Sequence, residues 1–219
     1  MKKLFLYIIL FCLSAKAQDN KKSVFTLLPA MGLNFCQIHG DSYSGFDKLG
    51  SFLGTSVNAR LNKKMSLELG FYFSQKGARH NSNPENGDFS FYRVNLNYID
   101  LPILFKYQIN STYFVTAGPS FAYLFSYNEN IDNTDMTGTY YFNKNEFGVN
   151  FGLGKIVKEK FYVEIRASNS IIPIRDYGII ANKIIFPNPI ATLFNKGLYN
   201  NIISLIVSYK LDFNSKNGN

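Results

Sequence analysis

Residues 65–73 read MSLELGFYF, with Met65, Leu67, Leu69, Phe71 and Phe73 in one phase and Ser66, Glu68, Gly70 and Tyr72 in the other. On a helix these apolar side chains scatter around the axis, whereas on a strand they line one side. The two-residue period recurs through Met31, Leu33 and Phe35, then through Leu53 to Leu61 with Asn58 and Arg60 opposite. It returns in Phe147, Val149, Phe151 and Leu153, and in Phe161, Val163, Ile165 and Ala167 with Glu164 and Arg166 opposite. It closes with Ile203, Leu205, Val207, Tyr209, Leu211 and Phe213. The pattern predicts eight strands, near 29–38, 52–61, 64–75, 92–107, 112–127, 145–155, 160–170 and 198–213.

The connections alternate in length. Segments 39–51, 76–91, 128–144 and 171–197 are long, and 62–63, 108–111 and 156–159 are short. Long loops at one end and tight turns at the other are the habit of transmembrane barrels, whose turns lie on the periplasmic side. The prediction is an all-β fold: an eight-stranded antiparallel up-and-down transmembrane β-barrel with long outer loops and short periplasmic turns.

Period alone does not say which face points out. The polar phase carries charges of both signs, at Arg60, Glu68, Asp100, Lys106, Glu146, Glu164, Arg166, Lys210 and Asp212, amid Gly, Ser and Asn. An eight-strand interior is only wide enough for side chains, and buried charges need partners. The charged phase is therefore assigned to the lumen as a structural network, with Asp100–Lys106, Glu68–Arg60 and Glu164–Arg166 as candidate pairs. The apolar phase is assigned to lipid. Phe73, Tyr107, Tyr113, Tyr127, Phe161, Tyr209 and Phe213 fall near strand ends, where interfacial aromatics belong. Trp is absent while Tyr and Phe number 15 and 21, so such girdles use those two residues alone.

The stretch YIDLPILFKYQINSTYFVTAGPSFAYLF, 98–125, holds one predicted hairpin. Ile99, Leu101, Ile103, Phe105 and Tyr107 take the lipid phase, and Asp100, Pro102, Leu104 and Lys106 the lumen phase. Across the turn, Thr116, Gly118, Ser120, Ala122 and Ser126 take the lumen phase. Pro102 and Pro119 lack a ladder donor and mark irregular pairing. Val94, Leu96 and Tyr98 fall out of phase with Leu101. Either a bulge near Tyr98–Asp100 reconciles them, or this part stands above the membrane.

The first residues, MKKLFLYIILFCLSAKAQ, combine a basic start, a ten-residue apolar core from Leu4 to Leu13 and the small-x-small triplet Ala15-Lys16-Ala17. This reads as a secretory signal peptide, residues 1–17, cleaved near Ala17. The barrel domain is then 18–213, and 214–219 is a short polar tail. Cleavage removes Lys2, Lys3 and Lys16 and lowers the formal charge from +8 to +5. That modest excess on an exported chain makes nucleic acid a poor partner. Cys36 is left as the single cysteine, so no internal disulfide forms. Downstream, no apolar run approaches the ~20 residues of a spanning helix.

NYIDLPILFKY followed by YFVTAGPSFAYLF resembles the PorT-like outer-membrane β-barrel family of Bacteroidetes. The matching positions are Tyr98, Asp100, Pro102, Lys106 and Tyr107, then Ala117, Gly118 and Pro119. The likeness is strongest over 95–125. It implies an eight-stranded barrel in a Gram-negative outer membrane. Some members are implied in secretion or gliding machinery, and no catalytic residues carry over. A terminal strand that normally ends on an aromatic, here Phe213, addresses the barrel-insertion machinery.

His39 and His80, the two histidines, fall in predicted outer loops near Asp41, Ser42, Ser82 and Asp88. A hydrolase or acyltransferase site there needs a geometry that spacing does not supply. Glu129, Asp132 and Asp135 lack the spacing of a dedicated Ca²⁺ loop. No metal or cofactor is expected. In segment 171–197, Ile179, Ile180, Ile184 and Ile185 are costly to leave wet. They point to a folded extension over the mouth or to a docking surface. Basic residues favour the turn end, at Lys21, Lys22, Lys63, Lys64, Lys158 and Lys160, where they meet periplasmic or headgroup charge. Three classes follow. The leading one is a non-enzymatic barrel with a filled lumen, structural or interacting, linked to secretion or envelope assembly through a partner the sequence does not name. The alternatives are an outer-membrane enzyme with loop residues and a periplasmic soluble ligand-binding barrel.

Overall fold

A computed structural model describes residues 25–41, 43–176 and 196–212. The expected signal peptide, the tail 214–219, Lys21, Lys22, Phe213 and the isoleucines 179, 180, 184 and 185 lie outside the described residues. Eight long strands wind antiparallel, each beside its sequence neighbour: β1 Phe25–His39, β2 Lys48–Arg60, β3 Met65–His80, β4 Tyr92–Gln108, β5 Tyr113–Ile131, β6 Asn145–Val157, β7 Phe161–Ser170 and β8 Gly197–Tyr209. β8 returns to β1, with Leu33 opposite Leu205, and closes the sheet. Closure leaves no strand edge unpaired, the condition for a sheet to stand in hydrocarbon. Pairing of β1 with the last strand lapses opposite Pro29, which has no N–H to give, and resumes at Leu27 and Leu211.

The tight turns are built from local chemistry. Asn62 Oδ1 accepts the N–H groups of Lys64 and Met65 at 2.8 and 2.9 Å. Asn110 Oδ1 does the same for Thr112 and Tyr113, both at 2.9 Å. An Asx side chain standing in for a backbone acceptor is a standard way to hold such a turn. The β6–β7 turn places Lys158 and Glu159 in the left-handed region, at φ 50° and 61°.

The outer surface is greasy from the turn end upward. Leu53, Leu69, Phe151, Leu153 and Ile165 each expose more than half their surface. On β3 the outward apolar run is Met65 to Phe73, and on β4 it is Ile99 to Tyr107. Each covers nine residues, the length a tilted strand needs to cross a bilayer core. Above that band the barrel turns inside out. The outward positions of β4 become Asn97, Asn95 and Arg93, and Gln75 and Gln37 continue β3 and β1. Inside, Ile38, Ala78, Val94, Leu96, Tyr98, Leu124 and Leu198 form a dry core, roofed by Phe142 and Ile174 from the long loops. This is the arrangement of a water-soluble barrel.

The open question at Tyr98–Asp100 thus has its answer. β4 alternates without a break, and its upper part stands clear of the apolar band. The register step lies on the facing strand: Asn97 is opposite Ser126 and Tyr98 is opposite Leu124, so Phe125 is the extra residue. Two expectations are corrected by that one residue. Tyr127 is not on the lipid-facing side; it packs against the upper core and lies edge-on to Phe142 at 5.3 Å between centroids. Ser126, expected in the lumen, is exposed and accepts a hydrogen bond from Asn97 Nδ2 at 2.9 Å. The prolines also interrupt pairing: the β3–β4 ladder skips Pro102 and its neighbour Leu101, and the β4–β5 ladder skips Gly118 and Pro119. Gly77 adopts φ 133°, and a Cβ there would lie 2.0 Å from the Val94 carbonyl oxygen, so no other residue fits this point of β3.

The boundary between the two halves is testable within one strand. Ile103→Arg, at the middle of the band, is expected to destabilise the barrel by about 2–4 kcal/mol. Asn95→Arg, on the same face above the band, should stay within about 0.5 kcal/mol. Urea unfolding from lipid vesicles measures both, and equal losses would contradict the placement of the membrane.

Candidate functional site

The lumen holds its charges in two layers. The lower one joins Glu68 of β3, Lys106 of β4, and Glu164 and Arg166 of β7. Lys106 Nζ donates to Glu68 Oε2 at 2.5 Å, and Ser56 Oγ donates to the other oxygen at 3.0 Å. Arg166 grips Glu164 with two bonds of 2.9 Å, and its Nη2 lies 4.0 Å from Glu68 Oε1, linking the two pairs. Thr116 Oγ1 adds a bond of 2.6 Å to Glu164. Two acids meet two bases, all buried. Such a cluster is tolerated only when it is closed in this way, because desolvating an unmatched charge costs several kcal/mol. Glycines make the room. A Cβ on Gly152 would lie 2.1 Å from Glu164 Oε1, and one on Gly154 would lie 2.1 Å from the Phe114 ring. Lys106 also lies over the rings of Phe114 and Tyr162, at 4.8 and 5.1 Å.

The upper layer is centred on Lys76, whose Nζ is 2.8 Å from Glu146 Oε1 and 3.6 Å from Asp100 Oδ2. Asn200 donates to Glu146 at 2.6 Å. Between the layers, Asn34 ties three strands together: its amide donates to Ser74 Oγ and the Gln75 carbonyl, both at 3.0 Å, and its oxygen accepts from Ser204 at 2.7 Å. The space left near Lys76, Asp100 and Arg166 is about 10 Å³. That is room for one water at most, so the lumen is closed at this level. Higher still, Arg175 clamps Glu129 with bonds of 2.8 and 2.5 Å and stacks on Phe142, 3.6 Å from the ring centroid.

Of the three candidate pairs, only Glu164–Arg166 forms. Lys106 takes Glu68 instead, and Asp100 takes Lys76. Arg60 does not join the network; it stands exposed at the turn-end mouth and makes no ion pair among the described residues. The strand tilt separates it from Glu68: Arg60 sits opposite Ser66, and Asn58 takes the position facing Glu68. Lys76 lies in the segment 76–91 expected as a loop, although Tyr72, Ser74 and Lys76 continue one inward phase.

The aromatics divide by position. Tyr113 and Phe161 are exposed at the lower edge of the band, Tyr107 and Tyr209 are half-buried beside them, and Phe73 is half-buried at the upper edge. Phe161 and Tyr209 meet edge to face at 5.1 Å.

At the outer end, His80 Nε2 lies 2.6 Å from Asp88 Oδ2, and Tyr43 stacks on the imidazole at 4.4 Å. The Ser90 backbone N–H, with His80 second, holds the Asp88 carboxyl below its usual range. No hydroxyl group hydrogen-bonds His80 among the described residues, and His39 is exposed at the end of β1. Glu129 is committed to Arg175, away from Asp132 and Asp135.

An apolar band on a closed antiparallel barrel, a plugged charged lumen and tight turns opposite long loops together define an outer-membrane β-barrel. The chain belongs to the outer membrane protein beta-barrel domain family, which it matches over residues 17–176. It is placed in the outer membrane of a Gram-negative bacterium. Among solved structures it is similar to Neisserial surface protein A (NspA), at 11% identity and TM-score 0.49, over 88% of this chain and 100% of that one. It is also similar to Ail, the attachment invasion locus protein of Yersinia pestis, at 9% identity and TM-score 0.48, over 86% and 99%. A third is OprG of Pseudomonas aeruginosa, at 9% identity and TM-score 0.43, over 88% and 98%. No curated protein matches the chain.

Arg166→Met leaves Glu68 and Glu164 short of one cation and is expected to cost about 3–5 kcal/mol. Arg60→Met should cost no more than about 0.5 kcal/mol. Denaturant unfolding in detergent compares them, and similar losses would mean that Arg60 belongs to the network after all. Asp41, in the β1–β2 loop, has its carboxyl pushed up from 3.8 to about 6, mainly by burial, and Asp41 Oδ1 accepts the Tyr43 N–H at 3.0 Å. Because the raised carboxyl resists ionisation only when the loop is packed, loop stability should fall as pH rises from 3.8 towards 6 and then level off. Hydrogen exchange over 43–47, referenced to Asp41→Asn, should show that decline, with the variant flat.

Proposed function

We propose that this barrel is a closed, non-enzymatic component of the cell envelope that works through its outer end. The supporting observation is the contrast between its two features. The lumen holds two layers of ion pairs and about 10 Å³ of space between them. The outer loops, by contrast, carry Phe89, Tyr140 and Tyr141 exposed, on a barrel extension that rises well above the band. Exposed aromatics on a rigid support are what a protein-binding surface needs, since they bring area at small entropic cost. The two loops are tied to each other: Phe91 N–H donates to Asp132 Oδ1, and Asp132 N–H donates to the Phe91 carbonyl, at 2.9 and 2.8 Å. The PorT-like sequence pattern over 95–125 adds secretion or gliding machinery as the setting, and β8 is the strand offered to the insertion machinery.

A second reading rests on the His80–Asp88 pair, which resembles the base and orienting acid of a hydrolase. Among the described residues no hydroxyl hydrogen-bonds the imidazole, and we favour the first.

Purified protein in planar bilayers should show no stepwise conductance; regular open-channel steps would end the closed-barrel reading. In cells, a photocrosslinker replacing Tyr141 should trap one envelope protein, and Phe89→Ser with Tyr140→Ser should abolish that adduct without affecting insertion. Persistence of the adduct in the double variant would refute the aromatic surface. A phenotype lost in His80→Ala but kept in the aromatic variant would favour the enzyme.

A further inference from the structure

We infer that the periplasmic mouth of the barrel is a binding pocket for a phosphate-bearing anion. At the turn end the lumen opens into a cavity of about 210 Å³ whose lining includes Arg60, Lys63, Lys64, Lys106 and Lys210. Among the described residues that line it there is no carboxylate. Arg60, Lys63 and Lys64 sit on and beside the β2–β3 turn and join no ion pair among the described residues. Glu68, the acid deeper in the lumen, lies beyond Lys106 and is engaged by it and by Ser56. The lower ion layer closes the inner end, so the cavity is a blind cleft and not the entrance of a channel. Charges of one sign around a cleft with low-dielectric walls focus the field into it. Arg60, Lys63 and Lys64 therefore bring positive potential to the mouth.

The lining has two chemistries. One is polar: the cations and the Asn58–Ser66 pair, in which the amide donates to the hydroxyl at 3.0 Å. The other is apolar: Leu28 and the ring of Phe114, over which Lys106 lies. A phosphate ester matches both parts. Its oxygens accept from the planar guanidinium fork and the ammonium groups, and its carbon skeleton lies on the apolar side. The space holds several waters, enough for a small ester such as glycerol phosphate. That group occurs both as a free solute and as the headgroup of phosphatidylglycerol, which is able to reach the mouth from the inner leaflet. The fold explains why these cations are here: Asn62 holds the turn by its own side chain, and Arg60, Lys63 and Lys64 flank it.

The test uses the full-length barrel. Glycerol 3-phosphate is titrated calorimetrically into protein in a zwitterionic detergent at low salt. Separately, phosphatidylglycerol retained from mixed phosphatidylcholine nanodiscs is counted by native mass spectrometry. Arg60→Gln with Lys64→Gln removes two lining charges, and Lys155→Gln with Lys144→Gln removes two charges elsewhere. Heat-modifiable migration in gels checks that each variant is folded. Saturable binding of glycerol 3-phosphate, weakened at least about tenfold in the mouth variant and within about twofold in the control, supports the pocket with a soluble ligand. Retained phosphatidylglycerol that is lost only in the mouth variant supports it with a lipid ligand. Equal weakening in both variants, or no binding of either probe by the wild type, overturns it.

Discussion

A charged side chain that enters an eight-strand lumen leaves water behind and must find its opposite within reach. Most of this structure answers to that constraint. Arg166 binds Glu164 on its own strand and reaches Glu68 on β3 across the interior. Lys76 bridges β4 and β6 through Asp100 and Glu146. Each layer therefore fastens strands that are not neighbours in the sheet. A one-residue slip in register would turn every one of these groups to the other face, exposing charge to lipid and removing its partner at once. The ion layers thus help specify the register as well as plug the pore, and the glycines of the polar phase are the space they occupy.

The second organising feature is the exchange of polarity partway up the wall. Below it the barrel is apolar outside and charged within; above it, charged and amide groups face out and Val94, Leu96, Tyr98 and Leu124 fill the centre. One covalent strand passes through both regimes without changing phase, because the backbone follows closure and twist while only the side-chain chemistry follows the solvent. β5 accommodates the change with one extra residue, Phe125. The dry upper core gives the long loops something to pack on, as Phe142 and Ile174 show. The described outer end is therefore raised on this core above the apolar band, and the lumen narrows between the ion layers beneath it.

Strand number, alternation, the order of short and long connections and the assignment of the charged phase to the interior were all legible from one-dimensional periodicity. So was Glu164–Arg166, since two residues apart on one strand means the same face and adjacent height. Lys76 was hidden by the expectation that strands end where the membrane does. Arg60 was misassigned because its phase is right but its height is wrong. Tyr127 was misassigned because one bulged residue reverses every later phase, and no local signal marks Phe125 as that residue.

By itself the sequence determined which side chains share a face, because a strand's period is a property of covalent geometry that needs no partner. Only the tertiary structure decided which charges meet, how far the barrel rises above the lipid, and that Arg60, Lys63 and Lys64 line one cleft at the turn end. Those depend on the shear between strands far apart in the chain, a relation set by closing the sheet on itself.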